Sequence, residues 1–224
     1  PRLAALRESR MNAVEAAIEI YREVLERDPQ NERALAALER LIQTEEHQLA
    51  IATILEPIYR DASLYEQLIY VHEIQAHHAS SPDMRVELLH QIAELYEMAL
   101  EDYGNAFNSY ARALGEEPAD LNTQEQLERI ARATGAFEQL AAVYEERVQG
   151  LLSVEEELEE PGLATQLLVK AATIREDQLG DLETAISHYQ RVLQLDERHI
   201  EAATALERLF QMSERYTELA AILL

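Results

Sequence analysis

Ala106-Phe107-Asn108-Ser109-Tyr110-Ala111-Arg112-Ala113-Leu114 returns 79 residues later as Ala185-Ile186-Ser187-His188-Tyr189-Gln190-Arg191-Val192-Leu193 (185 − 106 = 79). The echo continues downstream: Leu127-Glu128-Arg129-Ile130 falls on Leu206-Glu207-Arg208-Leu209, and Phe137 falls on Tyr216. A third copy stands near the start as Ala17-Ile18-Glu19-Ile20-Tyr21-Arg22-Glu23-Val24-Leu25, followed by Leu38-Glu39-Arg40-Leu41. A fixed period signals one small unit copied in series. Such a unit cannot bury its apolar face alone, so copies must stack on one another.

Helical spacing of apolar residues pervades the chain. Leu88, Leu89, Ile92, Ala93, Leu95, Tyr96, Ala99 and Leu100 form one broad stripe, and no stretch alternates as a strand does. Breaks are legible at Asp28-Pro29-Gln30-Asn31, Ser80-Ser81-Pro82-Asp83, Tyr103-Gly104-Asn105, Glu117-Pro118-Ala119-Asp120, Thr134-Gly135, Pro161-Gly162 and Gly180-Asp181. They delimit twelve predicted helices, over 2–11, 13–27, 31–43, 46–60, 63–79, 83–101, 104–116, 120–134, 136–152, 163–179, 182–195 and 198–212. A thirteenth begins near Glu214. Two irregularities interrupt the repeat: a helix without an evident partner within 63–82, and the acidic insert within 153–164, centred on Glu155-Glu156-Glu157-Leu158-Glu159-Glu160. Residues 1–224 as a whole, these irregularities included, read as a single repeat domain.

Composition narrows the functions. Forty-three acidic against 19 basic residues give a formal charge of −24, which opposes nucleic-acid phosphate and anionic membrane surfaces and favours a basic partner or plain solubility. The chain has no cysteine, which excludes disulfides and thiolate metal sites. No apolar run reaches the ~18 residues of a membrane helix, and Pro1-Arg2-Leu3-Ala4-Ala5-Leu6 lacks signal-peptide design, so a cytoplasmic location is expected. Both ends read as cut from a longer protein, and the uncapped Ile222-Leu223-Leu224 predicts self-association through that end.

These residues carry a resemblance to the tetratricopeptide repeat, in which about 34 residues form a helix pair. Ala106, Tyr110, Ala113 and Pro118 fit the small, aromatic, small and proline positions of its second helix, as do Ala17, Tyr21, Val24 and Pro29; Ala185, Tyr189 and Val192 fit three of the four. Leu89, Ile92, Ala93 and Tyr96 fit the first helix, and Leu168, Ala171, Ala172 and Arg175 fit it more loosely. Departures include Leu140 and Ile51 where the second helix carries alanine. The chain is therefore similar to divergent repeats of large bacterial proteins. The resemblance implies an all-α, right-handed superhelical α-solenoid of antiparallel helix pairs, a non-catalytic protein-binding role, and a concave groove lined by first helices.

Projecting the groove onto this chain nominates Gln91, Glu94, Asn122, Glu125, Arg129, Gln166, Lys170, Thr173 and Arg208 as partner-binding residues, with His90, Glu97, Gln126, Arg132, Val169, Glu176, Glu201 and Thr204 on the same faces. A solvated helix face is the competing explanation for them. Lys170 is the chain's only lysine, so a lysine–asparagine clamp for a terminal carboxylate is not expected; mixed Arg and Glu suit a charged or amphipathic segment. His72, His77 and His78 have the wrong helical spacing for a metal pair and read as surface residues near a helix end. Tyr59, Tyr65 and Tyr70 read either as an aromatic patch or as packing. No nucleophile–base set or phosphate loop is present, so neither an enzyme nor a cofactor is expected. The alternative role is a structural spacer, or the regulatory arm of a protein whose catalytic or membrane domain lies elsewhere.

Overall fold

A computed structural model describes the backbone of residues 2–153 and 161–223, and the side chains of 14–152 and 162–220. The run Glu155–Glu160 and the side chains of Ile222, Leu223 and Leu224, on which the acidic-insert and self-association expectations rest, lie outside the described residues. Regular structure among the described residues is entirely helical. The helices are α1 (Arg2–Arg27), α2 (Glu32–Leu41), α3 (Gln48–Asp61, entered through a short 3-10 turn at Glu45–His47), α4 (Tyr65–His78), α5 (Pro82–Met98), α6 (Tyr103–Glu116), α7 (Leu121–Thr134), α8 (Phe137–Ser153), α9 (Pro161–Asp177), α10 (Leu182–Leu195), α11 (Ile200–Met212) and α12 (Tyr216–Leu223).

The first two predicted helices are one. No break falls at residue 12, because Asn12 costs a helix only about half a kcal/mol relative to alanine and neither proline nor glycine stands nearby. The described residues thus hold twelve α-helices instead of thirteen.

Two compact units make up the chain, Pro1–Ser109 and Tyr110–Leu224, and the division falls inside α6. In the first unit each of α1 to α5 packs on its neighbour in sequence, so α4 lies against both α3 and α5. Its core gathers Leu25, Leu38, Ile51, Leu55, Tyr59 and Val71. In the second unit α7 to α12 pack in the same sequential manner. Leu127, Ile130, Leu206 and Leu209, which match at the 79-residue offset, are all buried there, as are Leu140 and Tyr144 of α8. Ala185 is fully buried, consistent with the close helix approach its small side chain permits.

The repeat is written in the backbone as well as in the side chains. Helix α7 ends in Gly135 at φ 78°, and 79 residues on, α11 ends beside Glu214 at φ 57°. Likewise Glu101 (φ 53°) after α5 matches Gly180 (φ 67°) after α9. The same hydrogen bonds close the paired turns. Asp102 N–H donates to Tyr96 O and Asp181 N–H to Arg175 O, both at 2.8 Å; Ala136 N–H donates to Ala131 O at 3.1 Å and Arg215 N–H to Phe210 O at 2.9 Å. These are left-handed helix ends that satisfy carbonyls orphaned in the last turn. The following caps match too: Asp102 Oδ1 accepts from Asn105 N–H at 3.0 Å and Asp181 Oδ1 from Thr184 N–H at 3.2 Å.

In the second unit an ion cluster joins three helices. Glu145 of α8 accepts from Arg175 of α9 through Nε (2.8 Å) and Nη2 (3.0 Å), and lies 2.9 Å from His188 Nε2 of α10. Arg175 Nη1 also donates to Glu138 at 2.7 Å. Hydrogen bonding from Arg175 outweighs burial and holds the Glu145 carboxyl below its ordinary range. The same bonds to Glu145 raise the Arg175 guanidinium.

Candidate functional site: a cleft on the first-helix face of the second unit

Helices α7, α9 and α11 are the first members of their pairs. In the second unit they border an open cleft of about 380 Å³. Its apolar wall comes from Phe137 and Leu140 of α8 and Val169 and Ile174 of α9. Polar side chains frame it: Glu128 and Arg132 of α7, Lys170, Thr173 and Gln178 of α9, and Glu201 of α11. Helical spacing produces this lining, since 169, 170, 173 and 174 recur at i, i+4 on one side of α9.

Lys170 is only in part a free cation. Its Nζ lies 2.5 Å from Glu128 Oε1 and 5.7 Å from the centroid of the Tyr144 ring. The Tyr144 hydroxyl donates to the same carboxylate oxygen at 3.0 Å. Burial first, and the Glu128 charge second, push the Tyr144 hydroxyl far above the ordinary phenol range, so it stays protonated and donating. This Glu–Tyr–Lys cluster therefore ties α7, α8 and α9 together at the edge of the cleft. Thr173 Oγ1 lies 2.9 Å from Val169 O and 3.3 Å from Tyr189 Oη. Arg132 Nε donates to Glu128 O at 3.1 Å, which anchors its guanidinium beside the opening.

Of the nine nominated residues, the structure brings Lys170 and Thr173 to this cleft. Asn122, Glu125, Arg129, Gln166 and Arg208 are exposed on the same helices but do not line it. Arg208 is engaged by Glu176 in an ion pair that raises its guanidinium, and Arg129 donates to Gln126 Oε1 at 2.9 Å. Gln91, half-buried, and Glu94, exposed, stand on α5 in the other unit. Arg132, Val169 and Glu201, projected onto the same faces, also line the cleft. Sequence reasoning missed the rest of the apolar wall, because Phe137 and Leu140 sit at second-helix positions that pattern alone assigns to core. The available signal was Phe137 itself, an aromatic at a helix start.

Two readings of the odd segment change. His72 is not a surface residue: it is buried, and its Nδ1 lies 2.9 Å from Gln75 Oε1, while Gln75 Nε2 donates to Glu56 of α3 at 2.7 Å. Tyr59 is buried in the core, whereas Tyr65 and Tyr70 are exposed. No group of three metal-ligating side chains occurs among the described residues, and no described helix is long and apolar enough to cross a membrane.

A family profile of the tetratricopeptide repeat matches residues 9–31, 86–120 and 157–199. With the sequential helix packing and the paired caps, this gives the chain an all-α, tetratricopeptide-like helical-repeat fold of the solenoid class. No curated protein matches the sequence. Solved structures with similar folds include MamA (12% identity, covering 73% of this chain and 87% of that one, TM-score 0.40). BtubC from P. vanneervenii is similar at 13% identity (96% and 87% covered, TM-score 0.42). YrrB, described as a TPR protein with an unusual peptide-binding site, is similar at 14% identity (87% and 96% covered, TM-score 0.35).

Proposed function

We propose that the chain is a non-catalytic protein–protein interaction scaffold, acting in the cytoplasm, and that its second unit takes a peptide or helical segment of a partner on the α7–α9–α11 face. One observation carries the reading: the cleft of about 380 Å³ on that face combines an apolar wall with an anchored Arg132 and an exposed Glu201. An apolar recess framed by a few fixed polar groups is the usual form of a recognition site. An apolar anchor of the partner enters between Phe137 and Val169. Flanking charges of opposite sign meet Arg132 and Glu201. Lys170, held by Glu128, shapes the wall more than it contacts the partner. Tetratricopeptide repeats as a class support the scaffold role.

A displayed library of random peptides, selected on the intact chain, tests this. Selected peptides are expected to share one large apolar residue flanked by an acidic residue. Val169→Asp is expected to weaken them at least tenfold, and Arg132→Glu to reverse the preference for the acidic flank. Peptides that bind Val169→Asp and Arg132→Glu as well as the parent would overturn the assignment of this face and favour a spacer or regulatory arm.

A further inference from the structure

We propose that the first unit holds a second, separate docking site, a cleft between α1, α2 and α3 that accepts a basic amphipathic helix of another protein, with a lysine or arginine of that helix seated on Glu39. The proposal shares with the preceding section only the premise that the chain is a scaffold.

The cleft measures about 660 Å³. Leu25 of α1, Leu35 of α2, and Ile54 and Ile58 of α3 supply its apolar surface. Ile54 and Ile58 are one turn apart and present a ridge against which i, i+3 and i+4 anchors of an incoming helix can pack. Three carboxylates line the opening, Glu26, Glu39 and Asp61, against one cation, Arg22. Arg22 is already shared, at 2.5 Å from Glu19 and 3.5 Å from Glu26. Glu39 accepts a hydrogen bond from Tyr59 Oη at 3.1 Å, and neither it nor Asp61 meets a cation among the described residues.

The second unit shows what completes such a pair. Leu38-Glu39-Arg40-Leu41 matches Leu127-Glu128-Arg129-Ile130, and Leu55 with Tyr59 matches Leu140 with Tyr144 at the same four-residue spacing. In both units the tyrosine of a second helix donates to the glutamate of the preceding first helix. In the second unit, Lys170 completes the cluster from α9, with Val169 and Ile174 as apolar neighbours. In the first unit the glutamate–tyrosine pair lines an open cleft, and α4, which follows the tyrosine helix as α9 does in the second unit, carries no lysine or arginine. A lysine or arginine of a partner would complete the cluster from the cleft side. Pro57, inside α3 and on the cleft, has no N–H to give to the Thr53 carbonyl, and Thr53 lines the same cleft.

The test uses the full chain and a fluorescein-labelled 16-residue helical peptide with leucines at i, i+3 and i+4 spacing flanked by lysines. Its controls are a scrambled peptide of the same composition and a version with glutamate for lysine. Anisotropy is expected to show binding of the first peptide at least tenfold tighter than either control. Glu39→Lys, and Thr53→Trp to fill the cleft, should each weaken it tenfold or more, with Glu39→Gln giving a smaller loss should the lysine variant fold poorly. Val169→Asp should leave it unchanged, which separates this site from the cleft of the second unit. Because the chain has no cysteine, Thr53→Cys carrying an environment-sensitive dye reports occupancy directly. Equal binding of the scrambled peptide, affinities within twofold for Glu39→Lys and Thr53→Trp, or a dimer whose dissociation by Thr53→Trp shows a second copy in the cleft would each overturn the proposal.

Discussion

Replacing Arg175 with methionine keeps an unbranched apolar stem, shorter than that of arginine, and removes every polar contact the side chain makes. In the folded chain this guanidinium is 12% exposed and grips Glu145, itself 27% exposed, through two hydrogen bonds. Hydrogen bonds to charged groups contribute about 1.5–3 kcal/mol each, and stranding one member of a fully buried pair costs about 3–5 kcal/mol. Solvent reaches Glu145 and His188 remains beside it, so the lower part of that range applies; the bond to Glu138, 65% exposed, adds little. The expected loss is roughly 2–3 kcal/mol, or about 30- to 150-fold faster amide exchange across α8, α9 and α10 at 1.36 kcal/mol per decade. Hydrogen exchange suits the purpose, because a stack of repeats need not melt as one unit. A double-mutant cycle with Glu145→Gln should return most of the loss as coupling. The pH response has a fixed sign. Folding lowers the Glu145 pKa, so its contribution is fully present above the unfolded value near ~4.3 and disappears as pH falls through the folded value. Glu145→Gln should flatten that acid limb. Exchange rates within threefold of the parent, with additive single and double variants, would refute the view that this cluster fastens the three helices.

Other expectations follow from single positions. Leu127→Ala and Leu206→Ala each empty a fully buried site and should cost about 2–5 kcal/mol by urea denaturation. Asp120→Ala removes the α7 cap, which accepts from Asn122 N–H at 3.2 Å and Thr123 N–H at 3.1 Å; a loss of about 1–2 kcal/mol should appear in the same assay. Gly135→Ala should destabilise by about 1 kcal/mol although no atom lies near the added carbon, since the left-handed backbone alone opposes it, whereas Glu214→Gly should stabilise by a few tenths to 1 kcal/mol.

Much of the fold could be read because the repeat repeats its core. Leu127 and Leu206, or Tyr144 and Leu140, sit at periodic apolar positions, and burial follows from period alone. Helix ends were legible wherever proline, glycine or a capping residue marks them, as at Ser81-Pro82, whose Ser81 Oγ accepts from Met84 N–H at 3.3 Å. The false break at residue 12 arose where no such marker stands. The site was harder to read. Lys170 looked like a groove cation, but its capture by Glu128 depends on a contact 42 residues away in sequence. His72 looked exposed, but Gln75 and Glu56 gave it a buried place that spacing within one helix does not reveal.

The paired left-handed turns have a consequence for engineering. Position 101 holds glutamate where 180 holds glycine, and 135 holds glycine where 214 holds glutamate, yet the backbone bends alike at each pair. The bend is therefore imposed by the helices that meet there and not by the residue that occupies it. Such joints are seams: a cassette cut at 101 and 135 has the same terminal geometry as one cut at 180 and 214. Exchanging the two copies is expected to keep the turn hydrogen bonds at each join, a prediction that the folding of the swapped chain would check.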